Sequence, residues 1–154
     1  MITDALLNFC SGQAVTASAV SANAIDLGSA GELGAGETLR IGVTVDQTVT
    51  AAGAATVNFL VISGSGVGGG VINAGVTVLA QSGPIPKADL VAGRRPILLS
   101  VPRHLLGAQA QGQRYLGLQF TVGTGPLTAG QFTANVVQDG QDLGRLHSAG
   151  WGVF

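Results

Sequence analysis

Short runs in which every second side chain is apolar, cut by glycine-rich turns, restrict this chain more than any other feature. Leu39, Ile41, Val43 and Val45 alternate with Arg40, Gly42, Thr44 and Asp46. On an extended backbone that pattern sends one set to a core and the other toward water. Val57, Phe59 and Val61 repeat it, as do Leu116, Leu118, Phe120 and Val122 set against Tyr115, Gly117, Gln119 and Thr121. Weaker strand signals lie at Ala14 to Val20, Ala24 to Leu27, Val76 to Gln81, Pro96 to Val101 and Phe132 to Gln138. Turn-rich pieces separate them at Gly28 to Gly36, Ala51 to Gly53, Gly64 to Gly75 and Gly123 to Gly130. About eight strands result, the signature of an all-β sandwich or barrel. Helical spacing is nearly absent, and the 25 glycines would each destabilise a helix by up to ~1 kcal/mol relative to alanine. One helical turn is expected between Ile85 and Val91, with Pro86 as its first residue and Asp89 in its opening turn. No internal repeat or second domain is visible, and 154 residues suit a single core.

Charged residues make up 10% of the chain, against about 25% in ordinary soluble domains. The surface must therefore be built largely from Gly, Ala, Ser, Thr, Gln and small aliphatics. Such a surface is easily desolvated, because few ions lose their water when another protein covers it. Association between proteins is its natural use. Nucleic acid is excluded as a partner: the net charge is -1, and the seven basic residues are scattered rather than clustered. The mean hydropathy of +0.46 invites a membrane reading, yet no apolar stretch approaches the ~18 residues a spanning helix needs. A membrane β-barrel needs aromatic girdles at both interfaces, and one Tyr and one Trp cannot supply them. Asp4 stands where an exported chain carries Lys or Arg, and the apolar piece Ala5 to Cys10 is too short for a signal peptide, so synthesis in the cytoplasm is expected. Cys10 is the only cysteine, which rules out an internal disulfide or a cysteine-cluster zinc site. Leu7 to Cys10 superficially resembles a lipoprotein processing site, but Phe9 stands where a small residue is required. Cys10 is read instead as a small buried hydrophobe.

Few residues offer chemistry. Gly64, Gly66 and Gly69 follow a strand with the spacing G-x-G-x-x-G, and Asp89 lies downstream as a ribose-binding acid would. That motif works only if a helix starts at the third glycine and turns its amides toward a pyrophosphate. The sequence from Gly70 to Val78 is glycine-broken and β-branched, so a flexible inter-strand loop is expected and no dinucleotide. His104 and His147 share no metal or general-base spacing, and no serine sits in G-x-S-x-G. Asp139 and Asp142 lack the aromatic platforms of a sugar cleft. The chain is read as no enzyme, with no cofactor and no metal. Two features carry an interface instead. Arg94 and Arg95 tip a turn before Pro96, either as a solvated pair or as a contact to acidic groups of a partner. Trp151 and Phe154 sit in a tail without strand pattern, and aromatics that bury ~150 to 250 Å² each do not stay exposed. They fold back over their own sandwich or anchor on a neighbouring subunit. Leu6, Leu7 and Phe9 pose the same question at the other terminus.

Several strings, by their number and order, carry a resemblance: QAVTASAVS at Gln13–Ser21, IDLG at Ile25–Gly28, and GAGE at Gly34–Glu37 leading to Leu39. Downstream come VLAQS at Val78–Ser82, Ile85-Pro86, DLVAG at Asp89–Gly93, RYL at Arg114–Leu116 and GPLTAGQFTA at Gly125–Ala134. Over roughly Met1 to Asp139 the chain resembles the capsid cement (decoration) proteins of tailed bacteriophages. The resemblance implies a jelly-roll sandwich that sits outside an icosahedral shell and clamps major capsid subunits against internal DNA pressure. It implies no contact residues. The tract Val67 to Gly75 is richer in glycine than that family's loop, and Gln141 to Phe154 runs past its last strand.

The expectation is a single-domain, jelly-roll-like β-sandwich over residues 1–142, with little helix and a tail at 143–154 that packs on the sandwich or on a neighbouring subunit. Its expected role is a structural virion protein on the outer capsid surface, made in the host bacterial cytoplasm. Its partners are the major capsid protein and itself, as a dimer or trimer, through an interface including Leu6, Phe9, Arg94, Arg95, Trp151 and Phe154. A receptor- or glycan-binding module on the virion surface is the alternative.

Overall fold

A computed structural model describes residues 5–28, 38–102 and 113–137. Eleven strands are formed among them: β1 (Asn8–Ala14), β2 (Ala19–Val20), β3 (Ile25–Asp26), β4 (Leu39–Thr50), β5 (Thr56–Gly64), β6 (Gly66–Gly68), β7 (Val71–Ala74), β8 (Thr77–Pro86), β9 (Ile97–Val101), β10 (Tyr115–Gly123) and β11 (Ala129–Val137). One sheet, A, has the order β1-β11-β4-β9, and the other, B, runs β2-β10-β5-β8 with β3 also on β10. All pairings are antiparallel. With β2 and β3 taken as one interrupted strand and the β6–β7 hairpin set aside, the antiparallel partners nest: β1 with β11, β2/β3 with β10, β4 with β9, β5 with β8. That is a long hairpin rolled onto itself, the order of a jelly roll.

Alternation places the core between the sheets. Ile41, Val43 and Val45 of β4 face Val57, Phe59 and Val61 of β5, with Leu116, Leu118 and Phe120 of β10 and Phe132 and Ala134 of β11 beside them, all buried. Phe59 meets Phe132 edge-on with ring centres 5.1 Å apart and Phe120 likewise at 5.8 Å, while Phe120 stacks on Phe132 at 5.5 Å. Three rings from both sheets thus interlock, and such pairs add about 0.5 to 1.5 kcal/mol each beyond the area they bury.

Two local expectations are corrected. Gly64 to Gly75, expected as a loop, is the ordered β6–β7 hairpin, turning at Gly69 and Gly70 with φ of 60° and 86°. Its glycines are spent on that turn and on close packing. Pro86 remains extended, and the single helical turn is the 3₁₀ segment Lys87–Asp89 that follows it. The loops at this end of the sandwich are tied together. Lys87 Nζ donates to Ala51 O at 2.5 Å, Thr128 N to Thr50 O at 2.7 Å, and Leu127 N to Thr16 O at 2.9 Å. The opposite end holds Leu39, Val101 and Tyr115, the strand termini that adjoin the undescribed stretches.

Candidate interaction surface

The two sheets turn very different faces outward. On sheet A the outward row is polar and satisfies itself. Asn8 Nδ2 donates to Asn135 Oδ1 at 2.6 Å, the Gly12 amide donates to Thr133 Oγ1 at 2.8 Å, and that hydroxyl donates to Asp46 Oδ2 at 2.5 Å. Asp46 and Arg40 give this face its charge.

Sheet B is nearly free of charge. No Asp, Glu, Lys, Arg or His occurs from Gln47 to Pro86 or from Tyr115 to Gln138, stretches that supply β5, β8 and β10 entirely. The exception is Asp26 on β3, which Arg114 neutralises through two hydrogen bonds, Nε to Oδ1 at 2.7 Å and Nη2 to Oδ2 at 2.6 Å. The guanidinium, helped by the Gly28 amide, holds the Asp26 carboxyl down at about 2. Arg114 also lies over the Tyr115 ring, 5.4 Å from its centre. Across the remaining face run the cross-strand rows Gln119–Leu60–Gln81 and Thr121–Asn58–Pro84. Asn58 Nδ2 donates to Gln81 Oε1 at 3.2 Å.

Part of sheet B is covered from within the chain. The β6–β7 hairpin lies over the outer face so that Ile72, buried, drops against Gly64 and Gly117, close to the buried Ile62. Its tip approaches the backbone between β2 and β3, where a Cβ on Gly70 would stand 3.4 Å from the Ala22 carbonyl. Beyond the hairpin the surface turns apolar. Val76, just before β8, and Val78, near its start, are 50% and 48% exposed. Leu98 on β9 and Val91 in the β8–β9 connection are exposed to a similar degree.

The residues expected at an interface are dispersed. Leu6 is 81% exposed in a single 3₁₀ turn. Phe9 is corrected: it lies wholly inside the core, because β1 slips register between Asn8 and Cys10 and turns Phe9 and Cys10 inward together. The arginine pair divides. Arg95 is exposed, whereas Arg94 closes its own loop, its amide on Val91 O and its guanidinium on Asp89 O. Trp151, Phe154 and the tail at 143–154 lie outside the described residues, as do His104 and His147. Cys10 is buried and its thiol is pushed up to about 11 by that burial, with a weak contact to Phe132 O at 3.5 Å. Gly69 leads into β7, not into a helix, so the G-x-G-x-x-G spacing presents no helix amides to a phosphate. Among the described residues no three His, Cys, Asp or Glu side chains gather to hold a metal. None of the described helices is long and apolar enough to cross a membrane. The signal for sheet B's character was present in the sequence as long tracts without ionisable residues, but the face they share appears only once the strand order is known.

These features define a jelly-roll sandwich with one polar, self-satisfied face and one neutral face bordered by exposed valines. Residues 9–136 match the Bbp16 family, a phage-type protein family, and the chain belongs to it. No curated protein matches the chain.

Proposed function

We propose that this protein is a structural component of a phage particle that binds the outer surface of the capsid and stabilises the major capsid protein shell as a cement protein. The observation that carries the reading is the uncharged outer side of sheet B. A protein that functions alone in water gains nothing from such a face, whereas a clamp covers it with minimal desolvation cost. Membership of a phage-type family supports the setting. Association is expected to be modest at each contact, because orientation and ordering costs offset most of the buried area. A homo-oligomer touching several shell subunits gains its strength by linkage. A glycan-binding module is less well supported, since sugar recognition favours open aromatic faces. Among the described residues the four phenylalanines are core, and Tyr115 is half-buried with Arg114 over its ring.

The test is to prepare filled phage heads with and without the protein and heat both while following DNA release. Heads lacking it should burst at a lower temperature, and adding the purified protein back should restore the difference. Heads equally robust in both states would reject the clamp.

A further inference from the structure

The β6–β7 hairpin is the far end of the β5–β8 hairpin, bent back over its own sheet. Ser63 pairs with Thr77 and Gly66 with Ala74, and the Ser65 amide donates to Ala74 O at 3.0 Å, so the two ladders keep one register across the bend. Only Ser65 on one strand and Gly75-Val76 on the other separate them. The bend is tight: Gly75 holds a φ of 61°, and a Cβ on it would collide with Ser65 Oγ. Beyond the bend, among the described residues, no hydrogen bond ties residues 66–73 to either large sheet. Ile72 is the one buried residue of the hairpin, so it alone anchors the arm. Its seat is cut to fit, since a Cβ on Gly64 would collide with Ile72 Cγ2 and one on Gly117 would stand 2.7 Å from Ile72 Cδ1. At the base of the arm Val78 pairs with Ile62 and shares its outward side, and Val76 is exposed beside it.

We propose that two copies of this chain exchange these arms: the bend opens at Ser65 and Gly75-Val76, and Ile72 of each copy seats against Gly64 and Gly117 of the other. This deepens the reading above by naming how the protein associates with itself, and it rests on that reading only for its setting in the virion. The occupant is a second copy because the seat is shaped for Ile72 of this same sequence. An exchanged arm repeats the contacts of the closed one, so no new complementarity is required. Hinges of one and two residues favour exchange, because a short link reverses under strain and straightens into the ladder it already continues. Release of the arm breaks one apolar contact and no hydrogen bond to the sheets. The exposed valines favour the exchanged form. In the closed chain Val76 and Val78 stay in water at the hinge, whereas a two-fold axis beside the hinge brings the partner against them.

The experiment uses the full chain in solution. A Cβ at position 64 would stand 3.5 Å from Ile72 Cβ, a separation that a disulfide spans, so Gly64→Cys/Ile72→Cys links each arm to whichever chain holds it. Heavy- and light-isotope versions of this variant are unfolded together, refolded and oxidised, and the cysteine-linked peptides are weighed by mass spectrometry. With exchange, about half of the links between positions 64 and 72 should join a heavy chain to a light one, as random pairing of two copies requires. With each arm on its own chain none does. A second measurement leaves the seat untouched. Inserting a pair of glycines after Ser65 and another after Gly75 lengthens both hinges and lets each arm fold back, so the wild type should sediment as a dimer and the lengthened protein as a monomer at the same concentration. Links confined within single chains, a monomeric wild type, or a dimer indifferent to hinge length would each overturn the proposal, and the hinge comparison decides if the double-cysteine variant fails to fold. If wild-type protein is a monomer yet protects phage heads, the exchange fails and the capsid role stands. An exchanged dimer that leaves heads unprotected gives the reverse.

Discussion

Replacing Gly117 with alanine tests whether the β6–β7 hairpin is held by the fit of one side chain into a slot. Gly117 lies mid-strand in β10 and is not among the left-handed glycines, so its backbone suits any residue. On conformational entropy alone, Gly→Ala at such a site stabilises by about 0.5 to 1 kcal/mol. The structure reverses that sign. A Cβ at position 117 would stand 2.7 Å from Ile72 Cδ1, 3.4 Å from Ile72 Cγ1 and 3.6 Å from the nearest Ile62 carbon. Overpacking of that order costs about 1 to 3 kcal/mol, so the variant should be destabilised by about 1 to 2 kcal/mol net. Ile72→Val removes the offending Cδ1 and by itself costs about 0.5 to 1.5 kcal/mol as a buried methyl deletion. In the double variant the closest remaining approach is the ordinary contact near 3.4 Å. The alanine then delivers its entropic gain, and the double variant should be at least as stable as Ile72→Val alone. Urea unfolding of the four proteins gives the cycle, with an expected coupling of about 1.5 to 3 kcal/mol, the net cost removed plus the entropic gain restored. A neutral or stabilising Gly117→Ala, or strictly additive effects, would show that Ile72 does not occupy this slot.

Two further predictions concern titratable groups. Folding lowers the Asp26 carboxyl from 3.8 to about 2, so it favours the charged form; the contribution is complete above about pH 4 and is lost as pH falls toward 2. The melting-temperature gap between wild type and Asp26→Asn should therefore be constant from pH 7 to 5 and shrink steadily below pH 4. A gap that ignores pH would contradict the Arg114 pairing. Cys10, buried with its thiol at about 11, should resist a thiol-specific disulfide reagent at pH 8 and react fully only when the chain is unfolded. Rapid labelling of the native protein would contradict the burial.

How much of this was legible beforehand depended on whether alternation survived. In β5, in β10 and in β4 as far as Val45 it runs unbroken, and the strands and their core residues follow directly. In β1 a register slip puts Phe9 and Cys10 on the same side, so the period is lost, the strand is invisible in the sequence, and a core phenylalanine passes for a surface one. The β6–β7 hairpin was hidden differently. Its glycines read as slack, because sequence shows what glycine permits in φ and not what it leaves room for. Gly64 and Gly117 lie far apart in the chain, and only pairing of Gly117 with Ile62 places both beneath Ile72.

The neutral face was half legible in the same sense. Lack of charge is a property of composition, but a face is a property of strand order. The jelly roll threads the two uncharged tracts into β5, β8 and β10, which are neighbours in one sheet, and sends Arg40 and Asp46 to the other. Had the same strands been ordered otherwise, the charge deficit would have been spread evenly and no side would have been preferred for contact. Introducing a charge is therefore not equivalent everywhere: at Val78 it lands on the otherwise neutral outer side of sheet B, while at Leu98, exposed to a similar degree, it lands on the sheet that already carries ions. The contrast between those two positions separates a surface chosen by topology from one that is merely poor in charge.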